Sequence, residues 1–252
     1  MEQLIFERAT VGELAAANFR YAGVFNAFHI DFCCGGKKTV GEACATAEVP
    51  VESVIEALRV ASTAAGSGAS HDFQSWTAGF LADYIVNVHH RYVRESLLVL
   101  LQYSEKVARV HGGQHPEVVT IAEVFQQIMD ELASHMFKEE RILFPYIRAL
   151  QSAAEGNMPY QRPPFGSAQN PIRMMEAEHE QVGELVRRIR ELSGNFVPPA
   201  EVCNSYRFLY GKLAEFEADL HQHIHLENNI LFPKSVALET SVTQPAVTAD
   251  VS

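Results

Sequence analysis

The chain has 252 residues, 47% of them hydrophobic, enough to bury one large core or two modest ones without staples. A net charge of -11 excludes phosphate backbones and anionic membrane surfaces as main partners, so no nucleic acid is expected. No run approaches the roughly 20 apolar residues that span a bilayer, no signal-peptide pattern opens the chain, and four cysteines are too few for a disulfide framework; the expectation is a cytoplasmic protein with reduced thiols and no membrane span.

Residues 1–62 predict a small helical N-terminal domain. Short helices start near Thr10, run from Asn18 to Phe28, from Val40 to Ala47 with Thr39 as cap, and from Pro50 through Ala61. Between the second and third lies Asp31-Phe-Cys-Cys-Gly-Gly36. Cys33 and Cys34 beside two glycines support two readings, thiol chemistry or a tight turn of small residues. Cys44 and Cys203 read as buried apolar residues. Residues 63–75 are small, polar and glycine-bearing, the composition of a flexible linker.

From residue 76 to 235 the pattern changes to four long helical stretches, 77–111, 116–150, 170–193 and 199–235. Glycine and proline punctuate each junction, which predicts an all-α fold with an up-down-up-down four-helix bundle. The tail, 236–252, has no apolar stripe and is expected to be disordered.

The bundle contains a duplication. His135-x-x-x-Glu139-x-x-Ile-Leu-Phe-Pro145 recurs 88 residues later as His223-x-x-x-Glu227-x-x-Ile-Leu-Phe-Pro233, and His90 and His179 stand upstream of the two copies. A four-residue spacing stacks histidine and glutamate on one helix face. That face is the apolar one: Ile128, Leu132, Ile142 and Tyr146 accompany His135 and Glu139, and Leu213, Phe216, Leu220 and Ile230 accompany His223 and Glu227. The same periodicity sets His90 among Val86, Val93 and Leu97, and His179 among Ile172, Met175, Val182 and Val186. His89 falls about 100 degrees off this stripe. Glu140 and Glu178 neighbour the ligand positions, where they suit either orienting an imidazole or a solvated face.

Four imidazoles and two carboxylates in an apolar core are costly to bury without partners, and cations remove that cost. One His-x-x-x-Glu pair alone is a common surface arrangement; six inward donors in a repeat are not. They exceed what one tetrahedral zinc takes, and two metals bridged by the glutamates would each receive two imidazoles and keep open positions. Imidazole and carboxylate without thiolate suit iron or manganese, and the open positions suit an oxo or hydroxo bridge and small diatomics such as nitric oxide or dioxygen.

At this point the motifs resemble a known family. Asp31-Phe-Cys-Cys-Gly-Gly36, Ser134-His-Met-Phe-Lys-Glu-Glu140, Met175-Glu-Ala-Glu-His179 and His223-Ile-His-Leu-Glu-Asn-Asn-Ile-Leu-Phe-Pro233 together look like the repair-of-iron-centres family, over about residues 8 to 236. The resemblance implies a hemerythrin-like bundle with two iron ions on His90, His135, Glu139, His179, His223 and Glu227, bridged by Glu139 and Glu227. It also implies repair of iron-sulfur clusters damaged by oxidative or nitrosative stress, with damaged iron-sulfur proteins as clients and the cysteine pair serving that role. An enzyme reducing nitric oxide at the two irons, and a hemerythrin-like protein binding or sensing dioxygen or nitric oxide, are the competing readings. The small N-terminal domain suits pairing in a homodimer.

Overall fold

Two capping boxes organise the N-terminal domain. In the computed structural model, which describes residues 6–18, 20–63 and 72–243, the Thr10 and Thr39 hydroxyls accept from the N–H groups of Glu13 and Glu42, and each glutamate reaches back to its threonine N–H. These reciprocal bonds satisfy donors that a first helical turn leaves open. They begin α1 (Val11–Ala17) and, after α2 (Arg20–Ala27), α3 (Val40–Ala47); α4 (Val51–Thr63) follows. Val11, Phe25, Phe32, Val40, Val54 and Leu58 close a small core.

Residues 64–71 of the expected linker lie outside the described residues. Its last part is ordered, because Phe73–Ser75 form a 3-10 turn and the Phe73 ring is buried against Trp76 and Tyr84.

Four rods build the bundle. The first joins α5 (Ala78–Ile85) to α6 (Arg91–His111), the second α7 (Glu117–Lys138) to α8 (Phe144–Ala154), the third is α9 (Gln169–Leu192), and the fourth joins α10 (Asn204–Leu226) to α11 (Phe232–Thr243). In the first, second and fourth rods the two α segments run on through five residues of π-helix, Val86–His90, Glu139–Leu143 and Glu227–Leu231. A π turn adds one residue, so everything beyond it is rotated by about 100 degrees from a continuous α-helix. Ile142 shows the consequence. Simple periodicity puts it in the core, yet it is 46% exposed while Leu143, Phe144 and Ile147 are buried.

The tail departs from expectation too. It is helical to Thr243, with residues 244–252 outside the described residues. The reason is tertiary: the Glu239 carboxylate accepts from the Tyr146 hydroxyl and from the Ala168 N–H at the start of the third rod, where the helix dipole favours an anion. Val236, Leu238 and Val242 pack on the core beneath.

The N-terminal domain seats on the fourth rod through its Cys-Cys turn. Asn228 and Asn229, in the third π turn, donate to the carbonyls of Cys33 and Phe32 at 3.1 and 3.0 Å. This approach explains the glycines, since a Cβ on Gly12 or Gly36 would lie 2.4 Å from Asn229 Oδ1. Gly36→Ala is expected to cost about 1–3 kcal/mol of overpacking strain. Gly23→Ala in α2 meets nothing within 4 Å and should gain about 0.5–1 kcal/mol of helix propensity. Denaturant titration of both variants checks this, and equal stabilities would mean that the turn does not seat on Asn229.

Candidate metal centre

Two apolar halves of the bundle leave a polar layer between them. Val93, Leu132, Met136, Val182, Leu220 and Ile224 bound it on one side, and Ile85, Phe144, Ile172, Met175, Leu226 and Ile230 on the other. The layer holds His90, His135, Glu139, His179, His223 and Glu227, none more than 2% exposed. His90, Glu139 and Glu227 stand within the three π turns themselves.

The six donors form two clusters. His90, Glu139, His223 and Glu227 make one, His135, Glu139, His179 and Glu227 the other, each with donor atoms all within 4.8 Å, and both glutamates belong to both. In the first, His90 Nε2 lies 3.3 Å from Glu139 and His223 Nε2 lies 3.1 Å from Glu227. In the second, His135 Nε2 lies 3.3 Å from Glu139 and His179 Nε2 lies 3.1 Å from Glu227. Each cluster therefore draws one histidine from each copy of the repeat.

This donor set fits a pair of cations. His90 Nε2, both oxygens of Glu139 and Glu227 Oε2 are buried without a hydrogen-bond partner, an arrangement that is costly for polar groups unless something positive satisfies them. His135 Nε2 and His179 Nε2 face each other at 2.9 Å. Two imidazoles bound to one cation at about 2.1 Å and a right angle would be about 3 Å apart.

Comparison with known proteins agrees. Residues 81–235 match the hemerythrin HHE cation binding domain, and residues 7–62 match ScdA_N, a domain of unknown function. The chain is 37% identical over 231 residues, 92% of its length and 97% of the relative's, to the iron-sulfur cluster repair protein YtfE of Musicola paradisiaca. It is 37% identical over 232 residues to the YtfE proteins of Yersinia pseudotuberculosis and Yersinia pestis, covering 92% of this chain and 98% of each. The chain belongs to the YtfE iron-sulfur cluster repair family.

In this YtfE-family chain the imidazoles are held from behind. His90 Nδ1 donates to Glu140 at 2.7 Å, and His135 Nδ1 donates to Glu178 at 2.8 Å. Glu140 is paired in turn with Arg94 and Glu178 with Lys138. His179 Nδ1 donates to Asn228 Oδ1 at 2.9 Å. With Nδ1 engaged, each ring turns its Nε2 toward the layer. Glu140 and Glu178 thus orient two imidazoles of the layer and are not merely a solvated face.

His223 differs, for its Nδ1 has no partner and its ring lies parallel to His89 at 5.7 Å. His89 was expected off the stripe. It is buried, 3.0 Å from Asp219 Oδ1, because the π turn at Val86–His90 brings two consecutive histidines inward. An α-helical periodicity gives no signal for this. Beside the layer, His225 is also buried; burial pushes its pKa down to about 4, and its Nδ1 is 2.9 Å from Asn229.

Charge in the layer balances itself when protons are its only cations. Burial alone would depress His90, but Glu139 and Glu227 hold its imidazolium up to about 10. Burial opposes His135 likewise, and Glu139 and Glu178 raise it to about 10. Burial and the Glu227 charge push the Glu139 carboxyl up, and the surrounding imidazoles, His135 first, outweigh them and hold it at about 2. Glu227 lies well below the usual carboxylate range, because His223, His179 and His90 outweigh its burial. His223 is lowered, with burial as the main cause.

The cysteines divide. Cys44 is buried, as expected. Cys203 is exposed, with its Sγ 3.1 Å from His111 Nε2, so the reading of it as a buried apolar residue is corrected: it precedes α10 at the bundle's end, where little covers it. Cys33 is buried and Cys34 half-buried, outside the polar layer but against it: Cys34 Sγ is 3.5 Å from the His179 carbonyl oxygen.

Proposed function

We propose that His90, His135, Glu139, His179, His223 and Glu227 hold two iron ions bridged by Glu139 and Glu227, and that the chain repairs iron-sulfur clusters damaged by oxidative or nitrosative stress, with damaged iron-sulfur proteins as its clients. One observation carries the reading: two buried donor clusters share both glutamates, in a chain whose relatives along 92% of its length are named for cluster repair. Imidazole and carboxylate without thiolate favour iron over a structural zinc.

Bound iron supplies Lewis acidity, one-electron redox change and open positions for diatomics such as nitric oxide. The protein's own residues supply the rest. Glu140, Glu178 and Asn228 fix three imidazoles in their ligating orientation, and the apolar halves of the bundle exclude water from the layer. Iron that leaves as cargo can be replaced by protons on His90 and His135, whose neighbouring glutamates favour the imidazolium. The layer therefore need not collapse when emptied. No described helix is long and apolar enough to cross a membrane, and the sparse cysteines suit the reducing cytoplasm.

Iron-loaded protein mixed anaerobically with a nitric-oxide-damaged dehydratase is expected to restore its cluster and activity beyond what the same amount of free iron achieves. Recovery no better than with free iron would overturn the repair reading.

A further inference from the structure

Outside the bundle centre, one more group of donors converges among the described residues. Asp31, Cys33 and Cys34 bring their ligating atoms within 4.8 Å of one another. Neighbouring residues in an extended chain point apart; here a turn gathers them. Asp31 Oδ1 accepts from the N–H groups of Cys33 and Cys34 at 3.0 and 2.9 Å, and the two sulfurs end 3.9 Å apart. Two thiolates on one tetrahedral cation at about 2.3 Å stand about 3.8 Å apart. The Cys33 sulfur is 3.2 Å from Asp31 Oδ1, near the spacing of a third donor on that cation. A turn made only for tightness needs no thiol at either position.

The surroundings point to a ligand as well. Both cysteines line a cleft of about 410 Å3 between the N-terminal domain and helices α9 and α10. His221 lines the same cleft. Its ring packs edge-on to Phe32 at 6.3 Å, it makes no hydrogen bond among the described residues, and burial lowers its pKa, so it stays a neutral imidazole. The group also abuts the bundle centre. Asn228 accepts from His179 Nδ1 and donates to the Cys33 carbonyl, so one side chain touches both places.

We propose that Asp31, Cys33 and Cys34 form a further cation site, rich in sulfur and open to the cleft, that takes a thiophilic divalent cation such as ferrous iron. Binding breaks two S–H bonds, releases both protons to solvent and forms two metal–sulfur bonds, with no change of oxidation state. Cys33 keeps its proton until a cation arrives, because Cys34, burial and Asp31 all raise it well above the ordinary thiol range. The cation's remaining position faces the cleft, where a donor from another protein completes it. The site thus becomes a place where iron from the bundle is presented to a client; only this choice of natural cation rests on the repair reading.

Cobalt(II) is the probe. Anaerobic titration of the reduced full-length chain is expected to give sulfur-to-cobalt charge-transfer absorption whose final intensity corresponds to about one thiolate-bound cobalt per chain. The six bundle donors contain no sulfur, so the band reports this site even while the bundle fills. The same band is expected in a Glu139→Leu, Glu227→Leu chain, and its loss in Cys33→Ser and in Cys34→Ser. Absence of the band from the wild-type chain, or its survival in both serine variants, would overturn the proposal. Failure of the dehydratase assay would leave the band untouched, which keeps the two readings separable.

Discussion

Glu227→Leu is expected to strip both cations from the bundle, not one. Both clusters contain both glutamates, so neither position keeps its full donor set when one carboxylate goes. Losing a partner of a ligand typically costs about 10–100-fold in metal affinity, and losing a shared ligand should cost more at each position. Leucine resembles the apolar neighbours Ile224, Leu226 and Ile230 and should keep the rods packed. Iron per chain, measured after identical loading and desalting, is expected to fall far more in Glu139→Leu or Glu227→Leu than in a Cys33→Ala, Cys34→Ala chain. Mössbauer spectra should show the bundle iron intact in the cysteine variant. Equal iron in all of these proteins would mean that the bundle layer is not the main iron site.

Loading of the bundle should steepen sharply with pH. His90 and His135 hold protons up to about 10 when no cation is present, and each must lose its proton before Nε2 can bind. Two displaced protons make the apparent affinity rise about 100-fold per pH unit from neutrality toward that value. Indicator dye should register about two protons released per filled centre. Stability of the cation-free chain runs the opposite way. The two imidazoles are raised above 6.5, so their contribution is full below that value and is lost as pH rises through about 10. The Glu139 carboxyl is depressed from 4.5, so its contribution is present above that value and is lost as pH falls through about 2. Alkaline conditions therefore favour the loaded over the empty protein, because the two protons that stabilise the empty layer no longer compete with the cations. A pH-independent loading curve with no proton release would show that these imidazoles are already neutral.

The six donors were legible because the information is local. His135 with Glu139 and His223 with Glu227 share a helix face by spacing alone, and the apolar residues around them mark that face as inward. The repeat extended the reading to His90 and His179, and the resemblance drawn from the same motifs named the family to which the chain belongs.

Other features depend on contacts between distant residues, or on the phase of a helix, and neither is written in a short window of chain. The repeat suggests one half-site per copy, but the packing of the rods sets His90 against His223 and His135 against His179, one from each copy. The π turns carry Ile142 to the surface and His89 to the interior, because one extra residue per turn breaks the 3.6 period on which sequence reading relies. The last helix continues to Thr243 because Glu239 finds Tyr146 and Ala168 some seventy or more positions away. Gly36 must be glycine because of Asn229, and the Cys33-Cys34 turn meets His179 of the polar layer through Asn228, neither of which adjacent residues could reveal. Helical spacing chose which side chains face inward; the docking of one rod, and one domain, on another chose which of them meet.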